Sequence, residues 1–161
     1  MTDAPDIRIA GIEITRASVS DAEDILALQK LAYRSEAEIY GDYHIPPLTQ
    51  TLAEMREDFK NQVVLKAVAE RRIVGSVRAF EKDGTAFIGR LIVHPDFQNR
   101  GLGTAVMWKV EAEHKKAKRF ELFTGNKSEK NIRLYHRLGY SIFREQKVND
   151  ALTIVYMEKL S

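Results

Sequence analysis

The 161-residue sequence contains no cysteine, which excludes a disulfide framework and a metal site built on thiolates. Its four histidines lack the spacing of metal ligands, so we expect no metal. No apolar run reaches the length of a membrane span, and the acidic N-terminal segment does not have the pattern of a signal peptide. A formal net charge of +2 is too small to indicate a nucleic-acid partner. These absences predict a cytoplasmic protein that uses no metal, membrane or nucleic acid.

The composition, 44% hydrophobic and 30% charged residues, is that of an ordinary globular protein. The chain is long enough for one domain with a substantial core. We predict a flexible N-terminal tail over residues 1–6 and a single domain over residues 7–161, because no linker, repeat or low-complexity tract interrupts the chain. The basic run 114–119 follows a predicted helix, where cations offset the helix dipole.

Hydrophobic periodicity and two capping boxes, Ser20–Glu23 and Thr51–Glu54, predict most of the helices and strands. The predicted elements are a strand at 7–16 with a bulge at Gly11, helices at about 20–39 and 51–60, strands at 63–70, 73–81 and 87–93, a helix from about 102, a strand at 120–123, a helix at about 128–138 capped by Ser128 and ended by Gly139, and a hairpin of 140–146 with 151–159. This order predicts an α+β fold, a mixed, mostly antiparallel twisted sheet with helices on both faces.

One stretch organises the chain: a buried strand, a proline, and a glycine-rich turn that opens a helix. Pro95 lacks an N–H group and is expected to stop the strand. Several backbone N–H groups and the positive end of the helix dipole then point at one place, which predicts an anion site, with phosphate favoured. Glycines 101 and 103 would let the ligand approach the backbone. The predicted apolar stripe of this helix is Leu102, Val106, Val110 and Ala117.

Three phosphate-binding motifs can be compared with this turn. A dinucleotide fingerprint needs a small residue where Val106 stands, and a P-loop needs a Gly-Lys-Ser/Thr sequence that residues 125–128 miss by one position. The third pattern is Gln98-x-x-Gly101-x-Gly103 after a strand that ends in Val-His-Pro. It resembles the acyl-CoA pyrophosphate loop of the GNAT superfamily of N-acetyltransferases.

A second signature lies further along the chain. The strand Glu121–Gly125 precedes a helix with the pattern Asn131-x-x-x-Tyr135, and Gly-Tyr then enters the next strand. This order is similar to that of the GNAT family, and the predicted element order is also that of the GNAT fold. The resemblance covers nearly the whole chain.

The resemblance implies acetyl-CoA as co-substrate, bound where the central strand and the following strand separate. Backbone N–H groups of residues 98–104 would hold the pyrophosphate, and the pantetheine arm would pair with the edge of the central strand and with Asn131. Tyr135 would be the catalytic acid that protonates the leaving thiolate. The residues thereby implied in cofactor binding are Leu91, Ile92, Val93, Gln98, Asn99, Arg100, Gly101, Leu102, Gly103, Thr104 and Asn131.

The sequence departs from the family at the general base. Gly89 stands where many relatives carry a glutamate. Glu81, His94, Glu36 and Glu38 are alternatives, and the amine could also arrive neutral without a protein base. This departure leaves a second hypothesis open, a catalytically silent acyl-CoA-binding sensor or interaction module. Transfer of a longer acyl group is a third.

The acceptor is predicted only as a small-molecule or peptide amine. Residues 40–47 form the one irregular stretch rich in Tyr, His, Pro and Gly, and binding loops of this kind sit on rigid scaffolds. Tyr40, Tyr43 and His44 would line an amine pocket, or the stretch is a rigid connector. The resemblance also implies that a homodimer through the C-terminal strands is open to the protein.

Overall fold

The computed structural model describes residues 11–161, so the predicted tail at 1–6 and the first part of the predicted first strand lie outside it. The strands are β1 (Ile12–Arg16), β2 (Val63–Ala69), β3 (Arg72–Lys82), β4 (Thr85–Val93), β5 (Arg119–Gly125), β6 (Ser141–Lys147) and β7 (Thr153–Leu160). The helices are α1 (Ala22–Ala32), α2 (Arg34–Tyr40), α3 (Pro46–Thr49), α4 (Leu52–Asn61), α5 (Leu102–Glu113) and α6 (Glu129–Arg137), with 3₁₀ turns at Val19–Asp21 and Pro95–Phe97.

All seven strands belong to one sheet, in the order β1-β2-β3-β4-β5-β7-β6. Every neighbouring pair is antiparallel except β4 and β5, which are parallel and joined through α5. This mostly antiparallel α+β sheet confirms the predicted fold class. The β4–β5 ladder contains only three residue pairs, from Thr85–Arg119 to Phe87–Glu121, and beyond it the two strands separate as the resemblance implied.

Helices cover both faces of the sheet because its strands are apolar on both sides. On one face the sheet packs against α5 and α6, and the buried side chains include Leu65, Val77, Ile88, Val106, Met107, Val110, Leu138 and Met157. On the other face it packs against α1 and α4, and the buried side chains include Ile25, Leu26, Met55 and Val64. The candidate site lies between these two helix layers, at the end of the sheet where β4 and β5 separate.

The predicted helix at 20–39 is wrong in two details. It is two helices, α1 and α2, which meet at Tyr33. The predicted capping box at Ser20–Glu23 is displaced, because the Asp21 carboxylate instead accepts the N–H of Ser18 at 3.0 Å and opens a 3₁₀ turn. The box at Thr51 is confirmed, since the Thr51 hydroxyl accepts the N–H of Glu54 at 3.2 Å.

Two further local predictions differ from the structure. The stripe of α5 holds through Val110, but the helix ends at Glu113, and Ala117 is buried in the connection to β5 instead. The sequence did not predict the short helix α3, which begins inside the irregular stretch 40–47 and continues past it. It starts at Pro46, and proline suits the first turn of a helix. Within residues 11–161 we find no helix with both the length and the apolar character needed to cross a membrane.

Candidate active site

The cleft between β4 and β5 carries unpaired backbone groups. After Phe87, residues 88–93 of β4 have no partner on β5, whereas their other edge is held by β3, with Ile92 opposite Ser76. Backbone N–H and C=O groups at such an edge need a hydrogen-bonding partner. The predicted pantetheine-binding residues Leu91, Ile92 and Val93 lie on this edge, so a ligand with amide groups can add to the sheet here.

The loop before α5 presents free N–H groups at the mouth of this cleft. Gly101 is the N-cap of α5 in a left-handed conformation, φ +79°, and no side chain caps the helix. In the described part of the chain, the N–H groups of residues 99–104 have no protein acceptor. Arg100 is exposed, and its guanidinium lies 5.1 Å from the centre of the Phe97 ring. Of the predicted residues, those from Asn99 to Thr104 therefore present free N–H groups next to the strand edge, whereas the N–H of Gln98 donates to the Pro95 carbonyl at 3.5 Å, and the anion site stays a prediction.

The two glycines of this loop have different roles. A Cβ added at Gly101 would meet no atom within 4 Å, so the space beside its backbone is open. A Cβ added at Gly103 would lie 3.4 Å from the Leu134 side chain of α6. The expectation that both glycines make room for a ligand stays a prediction: the Cβ position of Gly103 borders α6, and that of Gly101 borders open space.

The helix α6 brings Asn131 and Tyr135 to the cleft. The Asn131 amide donates to the Thr124 hydroxyl at 3.4 Å, which ties the first turn of α6 to the open end of β5. The Tyr135 side chain is only 6% exposed, and its ring packs edge-on against Tyr140. Its hydroxyl has no hydrogen-bond partner among residues 11–161. Every side-chain N or O atom of these residues that is closed off from solvent does have a partner, so the Tyr135 hydroxyl must border accessible space. Burial raises the pKa of Tyr135, with a smaller contribution from Glu36, so the phenol stays protonated.

A chain of hydrogen bonds joins α2 to the start of α6. The N–H of Lys127 donates to the Tyr40 hydroxyl at 3.0 Å, Tyr40 and Ser128 hydroxyls lie 2.7 Å apart, and Ser128 donates to the Glu36 carboxylate at 2.5 Å. Since the Ser128 proton goes to Glu36, Tyr40 must be the donor to Ser128. The chain thus ends on the Glu36 carboxylate. Ser128 makes no capping hydrogen bond with its side chain, so its predicted role as a cap is wrong.

A bulge in β4 forms the opposite wall. The β3–β4 pairing shifts by one residue between Ser76–Ile92 and Arg78–Gly89, and Arg90 adopts a left-handed conformation with φ +51°. Arg78 faces α4, where its guanidinium binds the Asp58 carboxylate at 2.7 Å. Burial lowers the pKa of Arg90, and burial followed by the charge of Arg90 lowers the pKa of Arg78. Both remain charged at neutral pH.

The structure separates the candidate bases. A Cβ at Gly89 would meet nothing within 4 Å, so the position of the usual glutamate is open space. Glu81 is exposed near the far end of the β3–β4 ladder. His94 uses its Nδ1 to accept the N–H of Asp96 at 3.1 Å. Glu36 is the candidate whose charge acts on Tyr135.

The irregular stretch contributes less than the sequence predicted. The Tyr43 ring is 58% exposed, and the His44 side chain is exposed beside Asp42. Of the three predicted pocket residues, only Tyr40 points inward, where it binds Ser128. Glu38 is also exposed on α2.

Sequence reasoning named Glu36 as a candidate base but missed Tyr33, Arg78 and Arg90, and we call these four side chains the acceptor side. Burial raises the pKa of Tyr33, and the charges of Arg90, Glu36 and Arg78 also act on this phenol. A signal was present, because Arg90 is a charged residue inside a run predicted to be buried on both faces. Residues 11–161 contain no group of three or more histidine or carboxylate side chains that could hold a metal ion.

An open strand edge beside a bare helix N-terminus is an arrangement that suits a ligand with amide and phosphate groups. The sequence agrees: residues 23–140 match the profile of the Acetyltransferase (GNAT) family, and the chain belongs to this family.

Solved structures share the fold. The PaiA N-acetyltransferase of Thermoplasma acidophilum, in complex with coenzyme A, is 16% identical with a TM-score of 0.77, covering 93% of this chain and 99% of its own. The ribosomal-protein-S18-alanine N-acetyltransferase of Escherichia coli is 15% identical with a TM-score of 0.76, covering 92% and 93%. A putative acetyltransferase of Salmonella typhimurium, yncA, with its cofactor acetyl-CoA, is 18% identical with a TM-score of 0.73, covering 93% and 94%.

A curated relative, UPF0157 protein YqkA of Bacillus subtilis, is 27% identical over 119 residues, which is 74% of this chain and 34% of the relative. The chain thus spans about a third of the length of the curated relative that it matches.

Proposed function

We propose that the protein is an acetyl-CoA-dependent N-acetyltransferase that moves the acetyl group to a primary amine by direct attack on the thioester. The observation that carries this proposal is the cleft between β4 and β5, with free N–H groups at its mouth and the Tyr135 hydroxyl inside. Two solved relatives are described with coenzyme A or acetyl-CoA, which supports the same ligand here.

The residues of the cleft fit the parts of this ligand. The free N–H groups of residues 99–104 would bind the pyrophosphate, with Arg100 adding a positive charge. The free edge from Leu91 to Val93 would pair with the amides of the pantetheine arm, and Asn131 would add a side-chain hydrogen bond. When bound, acetyl-CoA supplies an acetyl group activated as a thioester.

Groups of the protein would then stabilise the charge that develops during the reaction and transfer the protons. A backbone N–H near Ile92 or Val93 would stabilise the negative charge that develops on the carbonyl oxygen. The acceptor nitrogen forms a bond to the acetyl carbon while the carbon–sulfur bond breaks, and Tyr135 gives its proton to the departing sulfur. Glu36 would take the proton released by the amine, directly or through water. Solvent then returns a proton to Tyr135.

The experiment is a panel of primary amines mixed with acetyl-CoA, in which the release of free thiol is followed. The solved relatives include enzymes named for a ribosomal-protein alanine and for spermidine, so the panel contains both small amines and peptides. Thiol release that depends on the amine supports the proposal. Tight binding of coenzyme A without thiol release for any amine would favour the silent acyl-CoA sensor, which the open space at Gly89 supports.

We also propose a homodimer through the β6 side of the sheet. All seven residues of β6 are exposed, and one of them, Phe143 (41% exposed), packs against Tyr156 of β7, as does Phe123 of β5 (60% exposed), so these rings form an exposed aromatic surface. Sedimentation of the wild type should give twice the monomer mass, and Phe143→Glu should give a monomer. A monomeric wild type would contradict the proposal.

A further inference from the structure

The last residue of β5, Gly125, allows the Tyr40 ring of α2 to lie against the backbone of this strand. A Cβ added at Gly125 would overlap the Tyr40 hydroxyl and its ring. The parallel ladder between β4 and β5 ends at Glu121, so Gly125 lies on the part of β5 that has separated from β4. Tyr40 therefore reaches the open end of β5 because residue 125 has no side chain.

From this position the Tyr40 hydroxyl takes part in a directed network of hydrogen bonds, which we call the Glu36 network. Tyr40 accepts the N–H of Lys127 at 3.0 Å and donates to the Ser128 hydroxyl at 2.7 Å. Ser128, which is 2% exposed, donates to Oε2 of Glu36 at 2.5 Å. Each hydroxyl uses both a donor and an acceptor site, so its orientation is fixed. The network thereby holds one oxygen of the Glu36 carboxylate.

The second oxygen of Glu36, Oε1, is left for another partner. Among residues 11–161, the bond from Ser128 is the one hydrogen bond that Glu36 receives, and Glu36 makes no ion pair there. The Glu36 side chain is partly buried, so a ligand can still reach it. An ionised carboxylate accepts about four hydrogen bonds. Oε1 can therefore take a proton from a bound amine while Oε2 stays fixed by Ser128.

The helix α6 relates this carboxylate to the phenol of the cleft. Ser128 directly precedes α6, and Asn131 and Tyr135 follow it at intervals of three and four residues, so the three side chains share one face. Seven residues of helix span about 10 Å. Long side chains of a helix lean toward its N-terminus, which brings the Tyr135 phenol nearer to Ser128. Glu36 thus lies at one end of the face that carries Tyr135 toward the other.

We infer that Glu36 is the base of the reaction and that Ser128 and Tyr40 are positioning residues that hold it in place. The inference rests on the proposed function, because it names how the same site removes the proton of the acceptor. Oε1 of Glu36 takes the proton that the nitrogen loses as its bond to the acetyl carbon forms, and the carboxylic acid passes this proton to solvent. Glu36 replaces the glutamate that is missing at Gly89. Residues 125–128, which miss the P-loop sequence by one position, thereby acquire a function.

The test follows thiol release from acetyl-CoA near neutral pH with each amine of the panel that the wild type acetylates, beginning with spermidine and an N-terminal alanine peptide. Glu36→Gln should lower kcat by about 100-fold, the usual effect of a lost general base. Ser128→Ala and Tyr40→Phe should each lower kcat by about tenfold, because the base is present but no longer fixed. The dissociation constant of coenzyme A should stay the same in all three variants, since the donor groups are not altered.

Matched controls remove the same hydroxyl groups outside the network. Ser35 also belongs to α2, and its exposed hydroxyl donates to the Ala32 carbonyl at 3.3 Å. The exposed Tyr156 hydroxyl donates to Gln146 at 3.1 Å. Ser35→Ala and Tyr156→Phe should both keep the wild-type kcat.

Two further measurements distinguish a lost base from a structural defect. Without a fixed carboxylate the proton must go to water or hydroxide, so the deficit of the three variants should shrink by about tenfold between pH 7 and pH 9. In an enzyme that already carries Glu36→Gln, Ser128→Ala should lower kcat by less than about twofold, because a positioning residue then has no base to position.

Gly125→Ala tests the network while leaving each of its side chains in the sequence. Gly125 does not have a positive φ, so alanine is not strained by its own backbone. The added Cβ should displace Tyr40 and lower kcat as Tyr40→Phe does. Both substitutions should also speed the exchange of the Lys127 amide hydrogen, which loses its acceptor, by about tenfold in NMR measurements that need no turnover.

Thermal unfolding shows whether each variant is folded, and if Ser128→Ala is not, Tyr40→Phe and Gly125→Ala carry the same test. The inference is overturned if Glu36→Gln keeps the wild-type rate, if the positioning variants do, or if the deficits are the same at every pH. Each of these results can occur while the wild type still releases thiol, which leaves the proposed function intact. A wild type that binds coenzyme A and acetylates no amine would contradict the proposed function, and the inference with it.

Discussion

The two sides of the cleft differ in the kind of group that they present. On the donor side, which comprises residues 91–93 and 98–104, the groups are mostly backbone N–H and C=O at a strand edge and a helix N-terminus. On the acceptor side they are side chains with charges of both signs, of which Arg78 is buried and Tyr33, Glu36 and Arg90 are partly buried. Backbone recognition depends on conformation and tolerates many side chains, whereas side-chain recognition depends on the identity of each residue. The two sides should therefore respond to different substitutions.

The donor side should be most sensitive to a change of backbone conformation. Gly101→Val places a β-branched residue at φ +79° and fills the open space beside the loop. The strain is worth about 1–3 kcal/mol, and the displaced N–H groups should weaken coenzyme A binding by about 100-fold or more in calorimetric titration.

Gly11→Val is the control for this substitution. Gly11 has φ +77° and equally open surroundings, but it precedes β1, outside the cleft. It should cost similar stability in urea unfolding and leave coenzyme A binding unchanged. If the two variants bind coenzyme A equally well, the anion site before α5 is not where the cofactor binds.

Tyr135→Phe tests the point where the two sides meet. Its hydroxyl has no protein partner within residues 11–161, so removing it should not change the free energy of unfolding. The turnover rate should fall by about 100-fold, the low end for a lost general acid, while the dissociation constant of coenzyme A stays the same.

The neighbouring ring supplies the matched control. The Tyr140 hydroxyl donates to Glu111 at 2.7 Å, away from the cleft. Tyr140→Phe should therefore lower stability by about 1–3 kcal/mol and leave the rate unchanged. Equal rates in Tyr135→Phe and the wild type would remove Tyr135 from the mechanism.

The same difference explains what the sequence could predict. The donor side is made of residues that are adjacent in the chain, so Pro95, Gly101 and the apolar stripe of α5 indicated it directly. The acceptor side depends on long-range contacts. Ser128 has the position of a helix cap, yet its hydroxyl binds Glu36, which is 92 residues away in the sequence.

Two local features of the backbone also explain why the sequence did not predict the acceptor side. Tyr33 has helical backbone angles, φ −82° and ψ −1°, so periodicity could not reveal that α1 ends there. The direction of Arg90 depends on a one-residue bulge, and a shift of one residue moves a strand's side chains to the other face. No local pattern in the sequence encodes such a bulge.

Gly89→Glu should change the acceptor side without disturbing the donor side. The added Cβ meets no atom within 4 Å, so the fold should accept it. The new carboxylate would stand where many relatives carry the glutamate, so thiol release with the amines of the panel should rise by about tenfold, less than the usual effect of a general base because the rest of the site is not adapted to it. Thiol-release kinetics with these amines measure this change. Gly89→Gln has the same size without the charge, and an equal effect in both variants would mean that bulk, not charge, decides.

The smallest effect is on stability at alkaline pH. Burial raises the pKa of Tyr135 and of Tyr140 in the folded state, whereas both ionise near pH 10 when the chain is unfolded. Their stabilising contribution is complete below pH 10. Above it the unfolded chain loses protons first, so the free energy of unfolding falls as pH rises, by up to about 1.4 kcal/mol per pH unit for each tyrosine.

Urea unfolding between pH 9 and pH 11 measures this slope, and lysines contribute equally in all variants because none is changed. Tyr135→Phe should reduce the slope by the share of one tyrosine. Gly101→Val should lower the whole curve and keep the wild-type slope, since no titrating group on the donor side is altered. If Tyr135→Phe instead keeps the full slope, Tyr135 is not buried as a protonated phenol in the folded protein. The cleft would then lack the proton donor that the proposed reaction needs between its two sides.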